Sequence, residues 1–206
     1  MSRKGKTLEE AMPELEKIAQ DLGVKINNFV VLTEYFRRHP NESCDMQKVK
    51  SFTVDHRKLK PGIYMSEVNG AFTYDIRFVA PQDAAKRKLF MSPKVAHTLE
   101  HFLAFYFRSV PNKEFAESVL YVGPMGCLTG FYLLLNQPIH ENVIRKYLLK
   151  ACNDILAAEE IPGSSEICCG NYEYFDLAAT KDFIVDEIIP VFNAESLNTE
   201  YPLIEE

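Results

Sequence analysis

Apolar side chains near the start of the chain recur every three to four residues, which is the spacing of an amphipathic helix. Thr7 and Glu10 have the spacing of a capping box, and Gly23 is a residue type that commonly follows a helix. The pattern therefore predicts a helix between Thr7 and Gly23. Pro13 lies inside this span, so a helix that starts at Pro13 is the alternative.

A second helical segment is predicted over about residues 28–39, because Pro40 and the polar residues after it end the pattern. We predict that residues 1–48 form an N-terminal helical extension with a linker, separate from a domain formed by residues 49–206. Two short helices are compatible with a DNA-binding helix-turn-helix. Residues 1–48 carry no net charge, however, which favours a docking hairpin or a cap.

Beyond the linker the pattern changes to the period of a β-strand. Apolar and polar side chains alternate over residues 71–79, and Asn69-Gly70 before them is a strong hairpin signal. The sequence therefore predicts two antiparallel strands, over residues 63–68 and 71–79. One face of the second strand is apolar, and the other carries an acid and an arginine.

The rest of the chain alternates helical and strand patterns without a repeating βαβ period, which indicates an α+β fold. Ser92 and Pro93 are a suitable cap and first residue for a helix. We expect an antiparallel sheet covered by helices in two layers. The predicted elements are a helix over residues 93–108, strands over 118–123 and 127–135, a helix over 143–156, and a last helix over 177–189 that Pro190 ends.

Composition and charge restrict the classes of protein that the chain can be. Its 206 residues allow one domain with an added segment, and 47% hydrophobic with 25% charged residues is typical of globular proteins. No apolar run reaches the roughly 18 to 20 residues of a membrane span, and the start lacks the apolar stretch of a signal peptide. The net charge of −6 lies entirely in residues 181–206. We therefore expect a cytoplasmic protein that binds neither membrane nor nucleic acid.

The five cysteines are odd in number and lack the regular spacing of a disulfide framework, which fits reduced thiols. Burial, catalysis and metal ligation are the roles open to such thiols. Cys152 lies in the apolar stripe of a predicted helix, so we expect it in the core.

His97, Glu100 and His101 form an HxxEH motif on the helix that begins at Pro93. Histidines four residues apart lie on one helix face and can bind one metal ion, and the glutamate beside them is a possible base. The flanking residues are strongly apolar. Polar side chains without partners on such a face would be costly, and a metal removes that cost.

A catalytic metal site usually has three protein ligands. The residues alone leave three candidates for the third ligand: the thiolates of Cys168 and Cys169, or a carboxylate. HxxEH also marks inverted zinc peptidases, whose third ligand is a downstream glutamate, and Glu173 would suit that role. A metallopeptidase is therefore an alternative function.

Five stretches, in order, decide between these hypotheses. Over about residues 51–177 the chain resembles the LuxS family of S-ribosylhomocysteine lyases, and GPMGCLTGFYL is the most specific match. A peptidase has no need of that motif. The matching stretches are SFTVDH (51–56), FTYDIRFVAP (72–81), HTLEHFLAFYFR (97–108), GPMGCLTGFYL (123–133) and IPGSSEICCGNY (161–172).

The resemblance implies a small α+β metalloenzyme that works as a homodimer, with substrate sites at the subunit interface. It implies one divalent metal per subunit, natively Fe(II), although zinc or cobalt can occupy the site. The resemblance assigns His97, His101 and Cys169 as metal ligands, Glu100 and Cys127 as catalytic residues, and Ser51, His56 and Arg77 as substrate-binding residues.

The implied reaction cleaves S-ribosylhomocysteine to homocysteine and 4,5-dihydroxy-2,3-pentanedione, the precursor of the autoinducer-2 quorum signal. The sugar carbonyl migrates along the chain with help from the metal, and β-elimination then releases homocysteine for the methyl cycle. A non-enzymatic binding module with a relic metal site is a third hypothesis. It would require the loss of a catalytic residue, and every matching residue is retained.

Overall fold

The computed structural model of the protein describes residues 8–26, 34, 35, 38, 54–68, 70–88 and 90–204. The chain forms two compact units, Met1–Val54 and Asp55–Glu206. The boundary predicted near residue 48 lies outside the described residues and stays a prediction. In the described part of the chain, no helix has the length and apolar character that a membrane crossing requires.

The first unit contains helix α1, Leu8–Leu22. Pro13 lies inside this helix, so the alternative start at Pro13 is wrong. Gly23 ends the helix with φ +64°, a left-handed conformation that glycine adopts without a steric penalty. Of the second predicted helix only three residues are described, all helical. In the described part of this unit, one cluster of buried apolar residues consists of Ala11, Leu15, Ile18, Ala19 and Tyr35.

The second unit contains a four-stranded antiparallel sheet with strand order β1-β2-β4-β3. The predicted hairpin is confirmed, and Gly70 turns it with φ +76°. The strand predicted from residue 127 begins at Gly130 instead, which leaves Cys127 in a turn. The strands are β1 Gly62–Val68, β2 Ala71–Arg77, β3 Val119–Pro124 and β4 Gly130–Leu135.

Helices pack against this sheet, so the predicted α+β fold is confirmed. Two short helices, Pro81–Arg87 (α2) and Lys113–Ser118 (α4), were not predicted, because a helix of two turns has too little periodicity to stand out. The helices are α2 Pro81–Arg87, α3 Pro93–Ser109, α4 Lys113–Ser118, α5 Glu141–Ala157, α6 Leu177–Phe183, a π-helical segment Ile184–Ile188, and α7 Ile189–Phe192.

Pro190 does not end the last helix, contrary to the prediction. The helix passes through the π-helical segment, in which the N–H of Ile189 bonds to the carbonyl of Ile184, five residues back. This wider turn makes room for the proline ring one residue later, where an ordinary α-helical turn would clash.

Helix α3 lies at the centre of the unit and contacts β3, α5 and α6. Six of its apolar side chains are buried and hold the helix in the main core. His97, Glu100 and His101 lie on its half-buried face. The core therefore fixes the helix and leaves one polar face for chemistry. The buried apolar residues of α3 are Val95, Ala96, Leu99, Phe102, Leu103 and Phe107.

Candidate active site

The start of helix α3 determines where its histidines lie. The Ser92 hydroxyl accepts a hydrogen bond from the N–H of Val95 at 3.2 Å, and Pro93 occupies the first helical turn. These are the capping residues that the sequence predicts. One helical turn separates His97 from His101, and their ring centroids are 4.9 Å apart.

Cys169 completes a cluster with these two histidines. The nearest possible ligand atoms of His97, His101 and Cys169 all lie within 4.8 Å of one another. The Sγ of Cys169 is 3.4 Å from Nε2 of His97. All three residues are half-buried. Two imidazole nitrogens and one sulfur at this spacing suit a divalent transition metal.

Both imidazole rings are held by backbone carbonyls. Nδ1 of His97 lies 2.9 Å from the carbonyl oxygen of Tyr174, and Nδ1 of His101 lies 2.8 Å from that of Pro162. A carbonyl can only accept a hydrogen bond, so it favours the proton on Nδ1 and leaves the lone pair of Nε2 for a metal. The Phe175 ring stacks on His97 at 4.3 Å and meets His101 edge-on.

The loop before α6 carries Cys169 to this helix. The N–H groups of Cys168 and Cys169 both bond to the carbonyl of Ser165, at 3.0 and 2.9 Å. The N–H of Asn171 donates to Sγ of Cys169 at 3.4 Å, which helps to fix the position of the sulfur. The loop ends at Asp176, whose N–H donates to Oγ1 of the buried Thr98 on α3 at 3.0 Å.

This geometry separates the three candidates for the third ligand. Cys169 belongs to the cluster, whereas Cys168 and Glu173 are exposed and do not. The metallopeptidase alternative requires Glu173 beside the histidines. The structure gives that alternative no support.

Cys127 belongs to a second group of polar residues, formed where β2 meets the turn before β4. The guanidinium of the buried Arg77 donates from Nε and Nη2 to the two carboxylate oxygens of Asp75, at 3.1 and 2.5 Å. Its Nη1 donates to Oγ1 of Thr129 at 2.5 Å and to Sγ of Cys127 at 3.5 Å. Oγ1 of Thr129 is 3.0 Å from the same sulfur.

Arg77 and Asp75 form a buried ion pair, since each is only 2% exposed. Burial raises the pKa of Asp75, and the positive charge of Arg77 opposes this rise. The two hydrogen bonds from one guanidinium to one carboxylate also fix the plane of the arginine. The pairing therefore determines where Nη1 points, which is toward Thr129 and Cys127.

The turn that carries Cys127 has a constrained backbone. Leu128 adopts φ +56°, which is uncommon for a residue other than glycine, and its N–H bonds to the carbonyl of Met125 at 2.9 Å. A side chain at Gly130 would overlap the carbonyl oxygen of Ile76 on β2. The GPMGCLTG stretch thus provides both the close approach of β4 to β2 and the exposed position of Cys127.

The remaining predicted residues have different surroundings. Glu100 is half-buried on α3, and its carboxylate forms no hydrogen bond or ion pair with the described residues. His56 is exposed in a turn and lies close enough to Asp75 to act on its pKa. Ser51 lies outside the described residues.

Sequence reasoning gave no role to several residues of these two groups. The sequence pattern places Asp75 on the polar face of a strand with Arg77, where the two can form an ion pair, and it places Thr129 within a motif. Thr98 and Phe175 also had no assigned role. Two features of the sequence pointed to these residues: the polar and apolar alternation of β2, and the position of Thr129 two residues after Cys127. Long-range contacts, however, decide which of these side chains meet.

Comparisons with known proteins agree in pointing to one family. The family model described as S-Ribosylhomocysteinase (LuxS) matches residues 49–193. A Borreliella afzelii protein named S-ribosylhomocysteine lyase is 36% identical over 163 residues, which cover 76% of this chain and 100% of that protein. One from Desulfotalea psychrophila with the same name is 33% identical over 164 residues, covering 76% and 99%. One from Deinococcus radiodurans is 35% identical over 150 residues, covering 69% and 89%. The chain therefore belongs to the LuxS family.

Proposed function

We propose that the protein is an S-ribosylhomocysteine lyase that releases homocysteine and 4,5-dihydroxy-2,3-pentanedione. The observation that carries this proposal is the cluster of His97, His101 and Cys169 in a chain of the LuxS family. The proposal adds the residue roles, the metal and the oligomeric state to the family assignment.

His97, His101 and Cys169 would hold one divalent metal through Nε2, Nε2 and Sγ. We choose Fe(II) because the LuxS resemblance implies it, with zinc and cobalt as substitutes. When bound, the metal acts as a Lewis acid that polarises the carbonyl and hydroxyl oxygens of the sugar and so acidifies the neighbouring C–H groups.

Carbonyl migration and elimination both require groups that move protons on and off carbon. Cys127 is exposed and in contact with Arg77 and Thr129, so its sulfur is available to substrate. The Thr129 hydroxyl accepts a hydrogen bond from Arg77, which leaves its own proton to be donated to Sγ of Cys127. Arg77 and Thr129 thus both direct hydrogen bonds at the sulfur that, in our proposal, takes a proton from carbon.

Glu100 is the second acid-base group in our proposal. Its carboxylate lies one residue before a metal ligand, and no partner among the described residues competes for it. In the last step a base takes the proton from C4, the electron pair forms the C4–C5 double bond, and the C5–S bond breaks. The homocysteine sulfur leaves with the electron pair of the C5–S bond and is protonated, and the remaining enol rearranges to the dione.

Ser51 and His56 are proposed to bind substrate, as the resemblance implies. Arg77 is buried, and its Nη1 group points toward Cys127. In our proposal, Nη1 is therefore the part of Arg77 that contacts substrate. We further propose that the enzyme works in the cytoplasm as a homodimer.

The test is incubation of Fe(II)-loaded protein with S-ribosylhomocysteine while free thiol is measured. We expect one thiol per substrate consumed. Cys127→Ala and Glu100→Gln should keep the metal, measured by elemental analysis, and release no thiol. Wild-type protein with one metal per chain that releases no thiol would overturn the proposal.

A further inference from the structure

The last residues of the chain, beyond the stretch 49–193 that the family model matches, return to the sheet. We call residues 197–204 the C-terminal segment. Asn198 forms a parallel bridge with Gly62, and its carbonyl accepts a hydrogen bond from the N–H of Ile63 at 2.9 Å. Its side-chain amide donates to the carbonyl of Pro61 at 2.8 Å. The carbonyl of Pro202 accepts from the N–H of Asp55 at 2.6 Å, so the segment is held at both ends.

Gly62 is what allows this close contact. A Cβ atom built on Gly62 would overlap the carbonyl oxygen of Asn198 and would lie 2.9 Å from the Asn198 Cβ. Both atoms belong to the C-terminal segment near its start, so neither can move without displacing the chain. Any side chain at position 62 would therefore push the segment off the start of β1.

Between these two attachments, Tyr201 covers the ion pair beside Cys127. The Tyr201 ring stacks on Tyr64 of β1, with centroids 4.8 Å apart and planes inclined by 18°. Tyr64 is the cross-strand partner of Asp75, so their side chains project from the same face of the sheet. The Tyr201 hydroxyl lies 3.5 Å from Oδ2 of Asp75 and donates to it.

This placement explains the burial of a strand face that the sequence pattern makes polar. Tyr64, Asp75 and Tyr132 lie side by side across β1, β2 and β4. The Tyr201 ring lies over this row, and burial together with the Asp75 charge raises the pKa of its hydroxyl. With water excluded, the attraction between Asp75 and Arg77 is stronger and its geometry is better defined.

We propose that Tyr201 is a positioning residue for the active site. It holds the carboxylate of Asp75, Asp75 fixes the plane of the Arg77 guanidinium, and Arg77 thereby keeps its Nη1 directed at Cys127. The C-terminal segment is thus part of the active-site scaffold. The effect on turnover rests on the proposed lyase function, whereas the effect on the Cys127 thiol does not.

The first test compares Tyr201→Phe with the control Leu203→Ala, which alters a side chain of the same segment that is 62% exposed. The readouts are the alkylation rate of Cys127 by iodoacetamide, followed by peptide mass spectrometry, and kcat and KM for S-ribosylhomocysteine. Loss of one weak hydrogen bond should slow alkylation and lower kcat by about threefold each, with KM nearly unchanged. Leu203→Ala should match the wild type. Unchanged alkylation and kcat in Tyr201→Phe would overturn the proposal.

A second variant tests the segment without touching Tyr201. Gly62→Ala should displace the segment and reduce both rates by about tenfold, because the whole cover over Asp75 is lost. Combined with Tyr201→Phe it should add little, since both changes act through the same contact. Circular dichroism confirms that the variants fold. If the fold-changes of the two single variants multiplied in the double variant, the proposal would be contradicted. If wild-type protein lacked lyase activity, the alkylation rates would still test this inference, so the two failures are distinguishable.

Discussion

Arg77 directs four hydrogen bonds at Asp75, Thr129 and Cys127. A planar guanidinium can satisfy a carboxylate with two N–H groups and still direct a third at a sulfur, which an ammonium group cannot do. The buried pair is therefore both a structural contact and the electrostatic surroundings of the proposed catalytic thiol.

We predict that Arg77→Lys lowers the free energy of unfolding by about 2 kcal/mol, because a buried carboxylate loses part of its pairing. Urea unfolding measures this change. The control is Arg87→Lys, at a pair with Glu187 where the arginine is exposed, and it should cost less than about 0.5 kcal/mol. Equal losses in the free energy of unfolding for the two variants would contradict the view that burial makes the Arg77 pair more important for stability.

Cys152 is fully buried in α5, as the sequence predicts, and burial raises the pKa of its thiol to about 12. It therefore stays protonated in the folded protein. We expect iodoacetamide to leave Cys152 unmodified under native conditions while the exposed Cys168 reacts, as peptide mass spectrometry can measure. Rapid modification of Cys152 in folded protein would contradict this.

The same thiol should contribute to the pH dependence of stability. In the unfolded chain the Cys152 thiol is exposed, with a pKa of 9.0, so it loses its proton at a lower pH than the buried thiol of the folded protein. Raising the pH above about 9 therefore lowers the free energy of unfolding. The contribution of Cys152 is complete below about pH 9 and is lost toward about pH 12. Between these pH values, the free energy of unfolding of Cys152→Ala, measured by urea titration, should fall less steeply than that of the wild type. An identical slope would argue against a contribution from the buried thiol.

At the scale of elements, two parts of the fold position the proposed metal ligands: helix α3 and the loop that leads into α6. The helix holds His97 and His101 one turn apart, and the loop brings Cys169 to them. Thr98 links the two elements, because its buried hydroxyl donates to the carbonyl of Lys94 and accepts from the N–H of Asp176.

We predict that Thr98→Val weakens metal binding about tenfold, because the end of the ligand loop loses its attachment to α3. Competition with a coloured chelator measures the affinity. Thr98→Ser keeps the hydroxyl and should bind metal as the wild type does. A Val variant with unchanged affinity would mean that the loop is held in place without this hydrogen bond.

For the whole molecule, the proposed catalytic residues fall into two groups. Glu100 lies with the metal ligands and Cys127 with Arg77, and no hydrogen bond or ring contact between described residues joins the groups. A symmetric dimer can bring the first group of one subunit against the second group of its partner. This arrangement agrees with the interfacial sites that the LuxS resemblance implies.

We predict that Glu100→Gln and Cys127→Ala subunits complement each other. In a heterodimer with composite sites, one site carries both changes and the other carries neither, so about half of the wild-type activity should return. Differently tagged subunits, coexpressed and purified through both tags, provide the heterodimer, and light scattering gives its mass. Each homodimer should be inactive. An inactive heterodimer would place both residues in one subunit.

Local pattern was enough to predict most helices, the hairpin and the two histidines of α3. These features depend on residues close together in the sequence, through helical spacing, strand alternation, capping and turn preferences. Prediction was less accurate where the determining contact is distant or the element is short. The π-helical turn before Pro190 and the two helices α2 and α4 are examples.

The sequence by itself determined the family motifs, the fold class and a pair of histidines suited to a metal. Residue spacing left Cys168, Cys169 and a carboxylate open as the third ligand, the family resemblance assigned Cys169, and the tertiary structure shows Cys169 beside those histidines. The tertiary structure alone decided that Tyr201 of the C-terminal segment contacts Asp75, and that Asp75 and Arg77 are buried beside Cys127. The physical reason is that spacing within a helix or strand follows from neighbouring residues, whereas contacts between distant segments follow from how the whole chain packs.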